Sequence, residues 1–108
     1  MKKTQFLDYI IDCLSPFGSI TSRAMFGGYG LYNEGVIFAV IIKDELYFKA
    51  TKETEEFFKS KGSNKFTYQG KNGIVSMNYW KVDPDLLEDQ DSLKEWFNVA
   101  IGCKNNTI

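Results

Sequence analysis

The run Val36-Ile-Phe-Ala-Val-Ile-Ile42 constrains the fold more than any other feature of this sequence, because it is apolar at every position. A strand with one wet face alternates apolar and polar residues, so seven apolar residues in a row describe a central strand or one covered on both faces. Such a strand needs neighbours, and the flanking sequence supplies them. Ile20 to Phe26, Tyr29 to Tyr32 and Leu46 to Lys49 are also β-type, and turn signals separate them at Gly27-Gly28, Asn33-Glu-Gly35 and Lys43-Asp-Glu45. The four runs read as an antiparallel meander.

Helical spacing brackets this β-rich stretch. Phe6, Tyr9, Ile10, Cys13, Leu14 and Phe17 recur at intervals of three and four, which places them on one side of an opening helix. Thr4 is its expected N-cap, and Pro16 with Gly18 ends it. Thr51 is expected to cap a short helix over Lys52 to Lys61, stopped by Gly62 and anchored by Phe57 and Phe58. Two further strands follow, Lys65 to Gln69 and Ile74 to Val82, joined by Gly70-Lys-Asn-Gly73, whose Asn-Gly pair signals a hairpin. Asp83-Pro84 reads as the N-cap and first residue of a helical turn, and Ser92-Leu-Lys-Glu95 as a capping box for a last helix. Leu93, Trp96, Phe97, Ala100 and Ile101 form the buried stripe of that helix. The expected fold is therefore α+β: two layers, with an antiparallel sheet of about five strands and helices packed on it. One domain spans residues 1–104, and residues 105–108 are expected to fray.

Several kinds of chemistry are excluded or left unsupported. The 108 residues include no histidine, which removes Ser-His-Asp and Cys-His sites and histidine-ligated zinc. Cys13 and Cys103 are too few and too far apart for a disulfide framework or a metal site, and Cys13 reads as a small core residue. The acids cluster at helix starts and turns, where dipole complementation already accounts for them. Neither a cofactor nor a metal is expected, and neither is catalysis. Asp8 and Asp12 interrupt any signal-peptide core, and no stretch approaches the length of a membrane span, so the expected compartment is the cytoplasm.

Three features invite a binding role. Phe26-Gly-Gly-Tyr-Gly30 resembles a phosphate loop but lacks the Gly-Lys-Ser/Thr ending and leads into a strand. Its other reading is geometric: Gly27, Gly28 and Gly30 permit positive φ or a bulge and let Met25, Phe26, Tyr29 and Tyr32 pack closely. Lys59, Lys61, Lys65 and Lys71 fall in an acid-free stretch, either a solvated face or a patch for phosphates, while the net charge of −1 gives no general pull toward nucleic acid. Tyr47, Phe48, Tyr68, Tyr79 and Trp80 offer a base-stacking platform of which strand alternation assigns about half to the core.

Arg23-Ala-Met-Phe-Gly-Gly-Tyr-Gly-Leu-Tyr32 followed by Gly35, then Leu46-Tyr-Phe-Lys49, then Ser76-Met-Asn-Tyr-Trp80 with Leu87-Glu-Asp89, together resemble the N-terminal domain of the TfoX/Sxy family of bacterial competence regulators. The resemblance covers nearly the whole chain in order and spacing. It departs at Lys65 and Asp83, where the family often has proline, and both positions open structural elements, so altered capping is expected there. The resemblance implies a two-layer fold similar to secretion chaperones and a non-enzymatic role in activating DNA-uptake genes together with a cyclic-AMP receptor protein. Many members add a helical C-terminal domain, and this chain ends before one. On that basis the expected function is a regulatory interaction domain acting through protein partners, transcription machinery among them. Arg23, Tyr29, Tyr32 and Lys49 are its expected contact residues, above a structural motif of Met25, Phe26, Gly27, Gly28, Gly30 and Gly35. The alternatives are direct nucleic-acid binding through Arg23, Lys49 and the lysine-rich stretch, or a small-ligand module beneath the glycine turn. A homodimer would cover the edges and open face that a small sheet leaves bare.

Overall fold

All six β-type runs become strands of one sheet, in a computed structural model that describes residues 3–25 and 27–102. They are β1 (Thr21–Met25), β2 (Gly28–Asn33), β3 (Val36–Ile42), β4 (Glu45–Lys49), β5 (Lys65–Gly70) and β6 (Gly73–Lys81). The order across the sheet is β1-β2-β3-β4-β6-β5, and every neighbouring pair is antiparallel. The sheet has six strands where about five were expected, one for each of the six β-type runs. β3 is internal, and Phe38, Ala39, Val40 and Ile41 are all buried, as its unbroken apolar sequence requires.

A bulge explains how Phe38 and Ala39, although adjacent, both reach the core. The register runs Leu31↔Ala39 and then Tyr32↔Ile37, leaving Phe38 as the extra residue. An inserted residue resets alternation, so Phe38 joins Ala39, Ile41, Leu46 and Phe48 beneath the helices. The tight turns on either side of β3 use positive φ at Glu34 and Gly35, and at Lys43 and Asp44. Such backbone suits two-residue hairpins.

The helical layer lies on one face only. It consists of α1 (Lys3–Leu14), α2 (Glu55–Ser60) and α3 (Gln90–Gly102), with short 3₁₀ turns at Ser15–Phe17 and Pro84–Glu88. Ile10 and Leu14 of α1, Phe58 of α2, and Leu93 and Phe97 of α3 are fully buried. Phe97 sits at the centre of this layer, its ring 5.2 Å from Phe38 and 5.8 Å from Phe17. Trp96 packs on Phe58 at 5.2 Å and on Phe57 at 5.9 Å. Cys13 belongs to the margin of the same core, and burial pushes its thiol pKa up, so it remains protonated at neutral pH.

Several expected boundaries move. Helix α1 already includes Lys3, so Thr4 lies inside its first turn and not at its cap. Asp89, and not Ser92, opens α3: its carboxylate accepts from the Ser92 backbone N–H at 3.3 Å and from the Ser92 hydroxyl at 3.0 Å. An aspartate three residues ahead of the expected cap takes the Ser92 N–H as its own orphan donor, so the helix starts a turn earlier. Thr51 does cap the turn leading to α2, exchanging bonds with Thr54 in a reciprocal box: Thr51 N–H to Thr54 Oγ1 at 2.8 Å, and Thr54 N–H to Thr51 Oγ1 at 3.3 Å. The regular helix then starts only at Glu55. Asp83 accepts from the Asp85 N–H at 2.9 Å ahead of Pro84. In the second hairpin the loop residues are Lys71 and Asn72, with Gly73 paired to Gly70, so the Asn-Gly dipeptide straddles the end of the loop. The expected fraying of residues 105–108, the role of Cys103 and the packing of Phe26 lie outside the described residues.

Candidate interaction face

The glycine motif forms the β1–β2 hairpin, and its glycines divide by function. Gly27 takes a φ of 76° in the turn, whereas Gly28 and Gly30 lie in extended β2. A Cβ on Gly28 would collide with the Ile41 carbonyl oxygen of β3, so the strands can approach only because no side chain is there. A Cβ on Gly30 would meet the Met25 sulfur at 2.6 Å, Ile37 Cδ1 at 3.1 Å and Tyr32 Cε1 at 3.3 Å. The missing side chain is thus replaced by three neighbours that fold over the gap. Close strand packing accounts for these two glycines and positive φ for the turn; no helix N-terminus follows the motif.

Cross-strand partners share a face, which locates the expected contact residues. Arg23↔Gly30, Gly30↔Val40, Val40↔Tyr47 and Tyr47↔Lys81 trace one line across the side away from the helices. Arg23 and Tyr32 meet on this open face, with the guanidinium 6.0 Å from the ring centroid. Lys49 stands on the same face but three strands from Arg23, about 14 Å at ordinary strand spacing. Tyr29 points the other way, toward the helices, where it packs at the margin of the core. The four residues therefore do not form one cluster. Arg23 with Tyr32 is a pair, Lys49 is a separate point on that face, and Tyr29 belongs to the opposite side.

An apolar concavity on the open face lies elsewhere. Ile42, Phe66, Tyr68 and Met77 line a groove of about 360 Å³. Tyr47 packs behind Phe66, its ring 5.0 Å away in an edge-to-face contact, and Phe66 is followed by Tyr68 at 5.9 Å. A polar triad holds Tyr47 in place: its hydroxyl donates to Glu45 Oε1 at 2.8 Å, while Lys81 Nζ lies 3.0 Å from Glu45 Oε2. Burial, then the Glu45 hydrogen bond and charge, push the Tyr47 hydroxyl pKa up to about 12. The bond from Tyr47, then that from Lys81, hold the Glu45 carboxyl below its ordinary value. These groups buttress the groove and leave its floor apolar.

The five aromatics expected as a platform split as alternation requires. Phe48 and Trp80 are buried beneath helices, whereas Tyr47, Tyr68 and Tyr79, the last paired with Lys49, stand on the open side. The contribution of Phe66 and Met77 was not anticipated, although Phe66 and Tyr68 two residues apart in an otherwise polar strand were the available signal. The lysine-rich stretch is drawn toward acids from α2: Lys59 lies 3.9 Å from Glu56, Lys65 lies 3.9 Å from Glu55, and Lys61 sits over the Phe57 ring at 5.4 Å. Among the described residues no group of acids, cysteines or histidines is placed to hold a metal, and no helix is long and apolar enough to cross a membrane.

Comparison with known proteins agrees with this architecture. The chain is 34% identical over 65 residues to the DNA transformation protein TfoX1 of Aliivibrio fischeri (strain ATCC 700601 / ES114), a match covering 60% of this chain and 31% of that protein. It is 30% identical over 77 residues to the protein Sxy of Escherichia coli (strain K12), covering 71% of this chain and 37% of that one. In both cases the matched region is well under half of the longer relative. The model of the TfoX N-terminal domain matches residues 12–103, from the second half of α1 through the three marked motifs to the end of α3, and the chain belongs to the TfoX family through that domain.

Proposed function

We propose that this domain is a non-enzymatic regulator of DNA-uptake genes that works by docking a protein of the transcription machinery on its open sheet face. The observation that carries this reading is the groove of Ile42, Phe66, Tyr68 and Met77, an apolar surface without a helix over it, on the opposite side of the sheet from the helix-covered core. A relative described as a DNA transformation protein supports the competence role. Tyr68 is 47% exposed and Met77 40%, so both are available as contacts that cost little in the free domain.

The test is a competence-gene reporter combined with affinity capture. Tyr68→Ala and Met77→Ser should lower reporter output and weaken capture of the transcription component while leaving the unfolding midpoint nearly unchanged. Full activity of the double variant would refute the docking role of this face. A nucleic-acid reading keeps one point in its favour, since Arg23 and Lys49 share the face with Tyr47 and Tyr68. It predicts binding to duplex or single-stranded DNA that falls steeply with added salt, and absence of binding at low salt would eliminate it.

A further inference from the structure

The β5–β6 hairpin has an edge that the docking groove does not use. β4 accompanies β6 along Tyr79–Lys81, and the pairing ends where the Ala50 N–H donates to the Asn78 carbonyl at 2.9 Å. The chain then turns into α2, while Gly73–Met77 continue with β5 on one side and no described strand on the other. Backbone groups two residues apart point the same way along a strand. The N–H and C=O of Ile74 and Ser76 therefore face outward, in line with Asn78.

Natural edges are usually blunted by lysine, proline or a bulge. From Gly73 to Trp80 this strand has no charge and no proline. Its one irregularity, opposite Lys65 and Phe66, lies at the end already joined to β4. Ile74 is 70% exposed and Val75 37%. An apolar edge with outward hydrogen-bonding groups is suited to accept another strand.

Two properties select a second copy of this chain as the occupant. A strand that pairs with its own copy across a two-fold axis places any charge opposite its like, and a charge-free stretch avoids that penalty. The length also fits. Pairing centred on Val75 sets Ile74 against Ser76 of the second copy and Gly73 against its Met77. It uses the outward groups of Ile74 and Ser76 and stops short of Asn78, which already bonds Ala50. We infer that the chain forms a two-fold dimer in which Gly73–Met77 of two copies pair antiparallel about Val75, merging two sheets into one. Val75 is opposite Tyr68, and Met77 opposite Phe66, so the merged sheet brings the two grooves onto one continuous face.

Sedimentation equilibrium of the intact chain should give twice the 12.4 kDa monomer mass. Val75→Lys sets two ammonium groups against each other, and Ser76→Pro deletes an outward N–H while sparing the ladder to β5. Each should weaken dimerisation at least about tenfold, or about 1.4 kcal/mol, with the circular dichroism spectrum retained. In a Cys13→Ser, Cys103→Ser background, Val75→Cys should oxidise to a covalent dimer, since residues opposed in a non-hydrogen-bonded antiparallel pair lie about 4.5 Å apart at Cα, within disulfide reach. Thr67→Cys on β5 should not cross-link. Should either strand variant unfold, the cysteine comparison decides alone. A wild type that stays monomeric up to its solubility limit overturns the inference and leaves the edge to a strand of a different protein. A dimer in which Val75→Cys fails to cross-link overturns it as well.

Discussion

Phe48 and Tyr47 are adjacent in β4, yet one is fully buried beneath α3 and the other stands on the open side between Phe66 and the Glu45–Lys81 ion pair. The same strands thus build two unlike faces. On the covered face, aromatic rings from α2, α3, the Ser15–Phe17 turn, β3 and β4 interlock. On the open face, side chains of similar chemistry line a shallow groove and are fixed by a few polar bonds. The contrast teaches where this domain invests its stability: one face holds the fold together, and the other can present apolar surface because the fold does not depend on it.

Substitutions rank the two faces by energy. Phe97→Ala removes the ring that joins Phe17 and Phe38, and should cost about 3–5 kcal/mol in a urea titration. A loss near 1 kcal/mol would mean that the covered face is less tightly packed than described. Gly28→Ala probes the sheet plane itself. Its Cβ would press on the Ile41 carbonyl of the backbone, which cannot swing aside, and the expected destabilisation is about 1–3 kcal/mol. Asp89→Ala should cost about 1 kcal/mol by thermal melting through loss of the α3 cap, and more than Ser92→Ala; the reverse order would return the cap to Ser92.

The open face should show the smallest changes, and pH exposes them. The Tyr47 hydroxyl pKa is raised above its ordinary 10.0, so its contribution to stability is fully present below about pH 10 and is lost as pH rises through about 12. The Glu45 carboxyl is held below its ordinary 4.5, so its contribution is present above that value and fades as pH falls through the lower folded value. Tyr47→Phe should therefore reduce stability slightly across the neutral range, with the difference from wild type shrinking at both extremes. Ultraviolet titration should lose its latest-ionising tyrosine in the same variant. A wild-type tyrosinate titration in which no tyrosine ionises with a midpoint well above the ordinary 10.0 would show that the triad does not hold Tyr47 as described.

Much of this architecture was legible in the residues. The seven apolar residues of β3, the turn pairs around it and the stripe from Leu93 to Ala100 state local preferences that no tertiary contact reverses. The boundary of α3 was misread because Asp89 and Ser92 are both good caps, each suited to the N–H three residues on, and local sequence does not choose between two starts one turn apart. The contact residues were only partly legible. Arg23 and Tyr32 meet because odd and even positions in paired strands share a face, but whether Tyr29 or Tyr32 faces the helices depends on which side the helices take.

By itself the sequence determined the six β-type runs, the helical stripes and the family mark from Arg23 to Tyr32, since periodicity, turn chemistry and the absence of side chains at Gly28 and Gly30 are properties of the local chain. Tertiary structure alone decided which face the helices cover, that Phe66, Tyr68, Met77 and Ile42 converge into a groove, and that β6 outruns β4 to leave Gly73–Met77 with an unpaired edge. These depend on register and on a bulge between strands distant in sequence, and a shift of one residue there exchanges one face of a strand for the other.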